Sequence, residues 1–180
     1  IDLAIQSARE AFRLFTEAVA GRSTHRIVGS GSGVPDTLYA RLRVGLGLRP
    51  SAPVVEDFVA SPLLPGRPLR VLGIDPFAEG PFRPTLLGEG SGQEVVALLS
   101  RPRGVFISAA TAEAAGLGAG DSLPVLVNGR VRSLAILGAL EPADELSRRA
   151  LHDLLIMDIA QAQELLGQVG RIGRVDLILP

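Results

Sequence analysis

The sequence predicts an α+β domain in which two β-α-β units flank a small β-rich, barrel-like insert. Strand-like and helix-like patterns alternate near both ends of the chain, whereas the middle holds several short β-rich runs. An Asn-Gly dipeptide at positions 128 and 129 stands between two of those runs, which is a strong hairpin signal. A chain of 180 residues is long enough to bury a sizeable core.

The first β-α-β unit is preceded by an amphipathic helix. Apolar residues recur there every three or four positions as far as Gly21, where a left-handed cap is expected to end the helix. The unit itself is predicted as a strand at 25–28, a helix at 35–43 and a strand at 54–59, followed by a further strand at 69–74.

The middle of the chain opens with residues 77–103, which are rich in proline and glycine and lack periodicity. They are predicted to form a loop or a crossing between subdomains. The sequence pattern becomes regular again at Gly104. The elements predicted after it are a strand at 105–107, a helix at 109–115 and β-rich runs at 123–127 and 131–137.

The last unit has the clearest local signals. A strand at 154–157 leads into Asp158, which is expected to cap a helix because Gln161 follows three residues later, as in a capping box. Gly167 is expected to close that helix, and a strand at 174–179 completes the unit.

Composition excludes several classes of function. The chain has no cysteine, which removes disulfides, thiolate catalysis and cysteine-ligated metals. The net charge is −1 and the 18 basic residues, all arginine, are dispersed, so no basic stripe indicates nucleic-acid binding. No apolar run approaches the roughly 20 residues that a membrane-spanning helix needs, and the first residues do not resemble a signal peptide.

The segment Gly120-Asp121-Ser122-Leu123 spells the motif that names a family of serine esterases. A serine nucleophile needs a histidine base, which that family supplies from an Asp-x-x-His near the C-terminus. The late histidine here is His152, but position 149 is Arg149, so the pattern fails. We interpret the segment as a turn that leads into a strand.

The glycine-rich stretch at 29–33 is interpreted as a flexible connector. A phosphate-binding loop would end in Gly-Lys-Ser/Thr, and the chain has no lysine. A dinucleotide fingerprint would place a glycine at position 34, where Val34-Pro35 stands instead.

The titratable residues suggest no paired chemistry. The two histidines, His25 and His152, lack a second histidine at helical spacing, and Asp153 beside His152 is not expected to point the same way. The carboxylate pairs Glu56-Asp57 and Asp144-Glu145 are adjacent in sequence, so their side chains diverge. We therefore predict no catalytic, cofactor-binding or metal-binding residue, no cofactor and no enzymatic activity.

Several segments together resemble the MacB-like periplasmic core domain of FtsX-family ABC-transporter permeases. The resemblance spans the chain in the family's order, and its most specific part is the last unit. The residues that carry it are Leu69 to Pro76, Gly104 to Ser108, Ala115 to Leu123, Leu155 to Gly167 and Arg174 to Leu179.

The resemblance implies a place for each part of the chain. Residues 1–76 and 150–180 would form a porter-like α+β subdomain, residues 77–149 the inserted β-rich subdomain, and the helix at 1–21 a stalk that continues a membrane helix. The chain begins at Ile1 and its only methionine is Met157. It is therefore predicted to be cut from a larger protein, between the first and second membrane helices.

The same resemblance implies partners and a location. The domain would stand on the periplasmic face of the bacterial inner membrane, in a permease driven by a cytoplasmic ABC ATPase, and the parent permease would be dimeric. It would couple ATP-driven motion to substrate or partner handling, possible partners being a periplasmic adaptor or a lipoprotein. The insert is shorter than in MacB itself, which puts docking to an outer-membrane channel in doubt.

Two other functions stay open at this stage. The chain could be a free-standing periplasmic binding or adaptor module, with a lipid or peptide in a groove between the two β-α-β units. The less favoured third reading is a hydrolase that uses Ser122.

Overall fold

A computed structural model describes residues 21–84, 92–142 and 145–180. The stalk-like helix predicted for residues 1–21 falls almost wholly outside this part of the chain. The strands in the described part are β1 His25–Val28, β2 Val34–Pro35, β3 Ser51–Ser61, β4 Leu64–Ile74, β5 Gly104–Ser108, β6 Ser122–Val127, β7 Arg130–Leu140, β8 Leu154–Asp158, β9 Arg171–Ile172 and β10 Arg174–Leu177. The α-helices are α1 Asp36–Ala40, α2 Gly92–Ser100, α3 Ala109–Ala115, α4 Glu145–Ala150 and α5 Ile159–Leu166, and α1 runs on into a π-helical turn, Arg41–Gly45.

The main sheet has eight strands in the order β1-β10-β3-β4-β8-β5-β7-β6, and the short strands β2 and β9 pair separately. Strand β6 also pairs with β3 through Leu126 and Ala60, so six of the strands close into a barrel-like arrangement. The predicted α+β fold with a barrel-like part is confirmed. Strands from the predicted insert share this sheet with β3, β4 and β8, and the division into two subdomains stays a prediction.

The two β-α-β units are interleaved. In the first unit, β1 and β3 are parallel and lie on either side of β10. In the second unit, β8 and β10 are parallel and have β3 and β4 between them. Each unit therefore places a strand inside the other, which ties the two ends of the chain into one sheet.

Local sequence signals account for the predicted boundaries. The Asp158 carboxylate accepts hydrogen bonds from the backbone N–H groups of Ala160 and Gln161, and Gly167 ends α5 in the left-handed conformation with φ 69°. Asn128 and Gly129 both have positive φ, as a two-residue type I′ hairpin requires. Gly73 is needed because a Cβ there would lie 2.4 Å from the Cβ of Ala162, where α5 meets β4.

The prediction of a loop throughout residues 77–103 is wrong in part, because the segment contains helix α2. That helix buries Leu98 against the sheet, and the backbone carbonyl of Leu98 accepts a hydrogen bond from the Gln161 side chain on α5. Helix α2 is stabilised by the packing of Leu98 and by this hydrogen bond. Neither contact can be predicted from the surrounding sequence, which is rich in glycine and proline.

Two ends of the sheet are used below. The base is the end where β1 begins, β3 begins and β10 ends, and Ser51 lies opposite Leu177 there. The tip is the turn between β3 and β4 at residues 62–63. Strand β3 has 11 residues, so the tip lies roughly 33 Å from the base at about 3.3 Å per residue. No helix in the described part of the chain is long and apolar enough to cross a membrane.

Candidate functional site

Charged side chains meet on one face of the sheet, opposite the face that carries α1 and α5. Side chains alternate between faces along a strand, and the register sets Arg26 of β1 directly across from Asp176 of β10. We call the whole group the ionic cluster, and its members are Arg26, Glu56, Arg70, Glu79, Arg83, Arg174 and Asp176.

Asp176 is the centre of the ionic cluster and is fully buried. Its carboxylate oxygens accept hydrogen bonds from Arg26 Nε at 2.9 Å and Arg83 Nη2 at 2.9 Å. Arg174 Nε donates to the same carboxylate at 3.2 Å. A carboxylate has about four acceptor positions, so three guanidinium groups occupy most of its capacity.

Glu56 forms a second arm of the cluster on β3. Arg174 Nη1 donates to its carboxylate at 2.7 Å, and Arg70 on β4 donates to the other oxygen. Partial burial alone would raise the pKa of Glu56, but the hydrogen bonds and positive charges of Arg70 and Arg174 outweigh it and hold the pKa below its ordinary value. Arg174 therefore bridges the carboxylates of β3 and β10.

The loop at 75–84 closes over this face. Within it Arg83 is fully buried and joins Asp176 to Glu79, while Phe82 packs with Ala52 and Ala78. The backbone carbonyl of Phe82 also accepts a hydrogen bond from the N–H of Arg22, just before β1. The cluster thus connects the entry of the first strand, the last strand and a loop from the middle of the chain.

Glu79 is the member of the cluster whose carboxylate has an oxygen without a hydrogen-bond partner. One carboxylate oxygen accepts from Arg83, and the other is buried without a hydrogen-bond partner. Burial raises the pKa of Glu79 above its ordinary value, although the positive charge and hydrogen bond of Arg83 work in the opposite direction.

Sequence reasoning did not find the cluster. It predicted that the side chains of Glu56 and Asp57 diverge, and the structure places Asp57 in solvent and Glu56, half-buried, in the cluster. The available signal was the presence of Glu56, Arg174 and Asp176 inside otherwise apolar strands. Buried charges in strands need partners, but the sequence does not say which residues supply them.

Ser122 lies at the start of β6, and its hydroxyl bonds with that of Ser133 on β7 across the hairpin. The turn before it is organised by Asp121, whose carboxylate accepts from the N–H of Gly118 at 2.8 Å. The predicted interpretation of this segment, a turn that leads into a strand, agrees with the structure.

The glycine-rich stretch at 29–33 forms a tight turn between β1 and β2. The N–H of Gly33 donates to the carbonyl of Ser30 at 2.8 Å, and a Cβ on Gly29 would overlap the backbone of Gly33. The glycines are explained by this close approach of the backbone to itself.

The two histidines are both exposed and lie at different places in the fold. His25 contacts the Thr24 hydroxyl at 3.0 Å, and His152 contacts Asp153 at 3.0 Å. Of the other carboxylate pair, Asp144 lies outside the described residues and Glu145 forms ion pairs with two arginines on α4, Arg148 and Arg149. Within the described ranges, no three His, Asp or Glu side chains gather as a metal site would require.

The described residues form open surface cavities of ligand size, of which two are notable. One, of about 590 Å³, lies between α2, α5 and β7 and is lined by Leu99, Arg103, Arg132 and Gln161 among others. The other, of about 540 Å³, lies at the tip and is mainly apolar, with Phe58, Leu64 and Leu126 in its walls. A third, smaller cavity of about 260 Å³ lies at the base.

The sequence is similar to a bacterial transport protein. It is 41% identical over 179 residues to the uncharacterized ABC transporter permease protein Rv0987 of Mycobacterium tuberculosis. The chain is homologous to one segment of an ABC transporter permease. The match covers 99% of this chain and 21% of that permease, so the chain spans about a fifth of its relative's length. No protein-family model matches the chain.

The fold of the chain matches that of an extracellular transporter domain. The extracellular domain of the ABC-type transporter YknZ from Gram-positive bacteria aligns with a TM-score of 0.55 at 12% identity, covering 81% of this chain and 73% of that one. The periplasmic region of MacB from Actinobacillus actinomycetemcomitans aligns at 0.49 and 14% identity, covering 87% and 68%. The family resemblance predicted from the sequence is confirmed by the permease relative and the YknZ fold.

Replacing Asp176 by asparagine tests the centre of the ionic cluster. The change keeps the shape but removes the carboxylate charge that pairs with the buried Arg83 guanidinium, and breaking a buried ion pair in this way costs about 3–5 kcal/mol. Urea unfolding of the chain should show a loss of that size. Asp57→Asn, the same chemical change at an exposed position on the same sheet, should stay within about 0.5 kcal/mol. Similar losses in both variants would contradict the assignment.

The two glutamates of the cluster should give opposite pH dependences. Glu79 has a raised pKa in the folded state, so its contribution to stability is present below its unfolded pKa and is lost as pH rises through the folded pKa. Glu56 has a lowered pKa, so its contribution is present above the unfolded pKa and is lost as pH falls through the folded pKa.

The measurement is urea unfolding of wild type, Glu79→Gln and Glu56→Gln between about pH 3 and pH 7, a range that brackets the ordinary glutamate pKa. As pH rises, the stability of wild type relative to Glu79→Gln should fall, and that relative to Glu56→Gln should rise. Slopes of the same sign for the two variants would show that this account of the cluster is wrong.

Proposed function

We propose that this chain is the extracytoplasmic domain of a bacterial ABC-transporter permease and stands on the periplasmic face of the inner membrane. The observation that carries the proposal is the 41% identity over nearly the whole chain to a segment of a much longer permease. The fold, shared with the extracellular domain of another ABC-type transporter, supports the same location.

The geometry of the chain ends supports insertion between two membrane helices. Thr24 donates its backbone N–H to Leu177 at 2.9 Å, and Leu179 donates its own to the Thr24 hydroxyl at 2.8 Å. The chain therefore enters and leaves the sheet side by side at the base. A domain inserted into a longer chain needs neighbouring ends of this kind, and both would lead to the same side of the domain.

The role proposed for the domain is mechanical rather than catalytic. A cytoplasmic ABC ATPase would drive the permease, whose parent is proposed to be dimeric, and motion of its membrane helices would reach the domain at the base. The ionic cluster bonds β1 and β10 to β3, β4 and the loop at 75–84, so the base and the barrel move together. The barrel would then engage a substrate, a periplasmic adaptor or a lipoprotein, with residues 77–149 as the inserted subdomain.

Labelling of single cysteines in the whole permease tests the location. The chain has no cysteine, so Ser30→Cys and Val131→Cys place one reactive thiol each at an exposed site. In a permease without other cysteines, a maleimide that cannot cross the inner membrane should label both sites in intact cells. Val54→Cys, at a fully buried site, should stay unlabelled until the protein is unfolded.

Two results would contradict the proposal. Labelling only after the inner membrane is opened would place the domain in the cytoplasm. Labelled chain recovered in the soluble periplasmic fraction, rather than in the membrane, would favour a free-standing periplasmic module.

A further inference from the structure

A surface at the base combines exposed apolar side chains with arginines. Val44 and Leu46, in the turn that follows α1, are 78% and 70% exposed, and Phe77 is 74% exposed. Three large apolar side chains this exposed at one end of a domain indicate a contact surface. We call it the base patch, which consists of Arg41, Arg43, Val44, Leu46, Arg49 and Phe77.

The charge of the base patch is of one sign. Residues 37–55 include three arginines and no aspartate or glutamate. Arg41 and Arg49 are exposed, and neither forms an ion pair within the described ranges. The carboxylate of Asp75, whose charge acts on Tyr39, is half-buried and accepts a hydrogen bond from the N–H of Phe77 at 3.0 Å.

Arg43 is held in place rather than free in solvent. Its Nη1 donates to the Tyr39 hydroxyl at 3.0 Å and to the backbone carbonyl of Ser51 at 2.8 Å, and its guanidinium lies 5.9 Å from the centre of the Tyr39 ring. Both hydrogen bonds are made by Nη1, and the residue as a whole is half-buried.

A small pocket opens between these groups. It has a volume of about 260 Å³ and is lined by Arg43, Arg49 and Phe77, with Ser51 in its wall. The Ser51 side chain is fully buried, and its hydroxyl has no hydrogen-bond partner in the described structure. The guanidinium groups of Arg43 and Arg49 can donate hydrogen bonds to the acceptor oxygens of a phosphate group that enters this pocket.

We propose that the base patch rests on anionic phospholipid head groups of the membrane from which the domain projects. The inference rests on the proposed function, which puts the membrane at the base. The two chain ends leave the sheet there, because Ser51 pairs with Leu177 and the backbone N–H of Ile178 donates to the carbonyl of Pro50. Phosphates would meet the arginines, and Val44, Leu46 and Phe77 would reach the interface below them.

A lipid surface fits the patch better than a folded partner does. A patch of positive charge needs a negative partner, and a bilayer with anionic lipid offers a continuous negative surface at the end of the sheet where both chain ends leave it. Each arginine near such a surface strengthens binding about fivefold. Because the chain is tethered at the base, even weak contacts would be populated.

The test attaches the chain by a C-terminal histidine tag to vesicles that contain a nickel-chelating lipid. Because Pro180 follows β10, this tether presents the base to the membrane. A fluorophore on Val44→Cys reports contact through quenching by a nitroxide attached to lipid head groups. The same fluorophore on Val131→Cys, which is exposed at the tip, is the matched position.

Quenching at position 44 should be several-fold stronger than at position 131 in vesicles of phosphatidylglycerol and phosphatidylcholine. It should weaken in phosphatidylcholine alone. Arg41→Ala with Arg49→Ala should lower the equilibrium constant for contact about twenty-five-fold, about fivefold for each arginine. Arg130→Ala with Arg132→Ala, a matched pair of exposed arginines on β7, should leave the equilibrium constant for contact unchanged.

Equal quenching at positions 44 and 131 would overturn the proposal. So would quenching at position 44 that changes neither with the charge of the lipid nor with replacement of either arginine pair. Absence of quenching at position 44 with every lipid, together with saturable burial of that fluorophore by a purified protein partner, would also overturn it in favour of a protein interface. Failure of this test is distinct from failure of the proposed function. Cysteines at positions 30 and 131 that are labelled in intact cells would keep the extracytoplasmic location even if the base patch touches no lipid.

Discussion

The carboxylate of Asp176 is buried on the last strand of the main sheet, and three guanidinium groups surround it. A buried carboxylate is tolerated only when it is paired and hydrogen-bonded. This constraint fixes the positions of Arg26 on the first strand, Arg174 on the last strand and Arg83 in a loop from the middle of the chain. The face of the sheet opposite α1 and α5 is organised around that single group.

Because the two β-α-β units are interleaved, the ionic cluster connects the two chain ends to the barrel. Strand β10 lies between β1 and β3, so the last strand is bonded on both sides by strands from the first third of the chain. Glu56 and Arg70 extend the charged contacts to β3 and β4, which belong to the barrel. A displacement that reaches the two chain ends would thus be passed on through backbone ladders and ion pairs rather than absorbed by a loose linker.

Features that depend on neighbouring residues could be predicted from the sequence, whereas contacts between residues far apart in the chain could not. The Asp158 cap, the Asn128-Gly129 hairpin and the α3 helix depend on neighbours within a few residues, and each appears where it was expected. The ionic cluster joins Arg83 to Asp176 across 93 positions and Arg26 to Asp176 across 150. Glu56, Arg174 and Asp176 are visible as charges in apolar strands, but only the folded chain brings them together with Arg83 of the loop. Helix α2 escaped prediction for a similar reason, because its packing partner Gln161 is distant in sequence.

The central claim is that the ionic cluster makes the loop at 75–84 part of the folded sheet. Native-state hydrogen exchange of the 180-residue chain measures this directly. The backbone N–H groups of Phe82 and Arg83 both donate to the carbonyl of Glu79, and they should exchange only through the opening that also releases Val175 and Leu177 of β10. Exchange of the two loop amides as fast as in an exposed turn, while the β10 amides stay protected, would contradict the account.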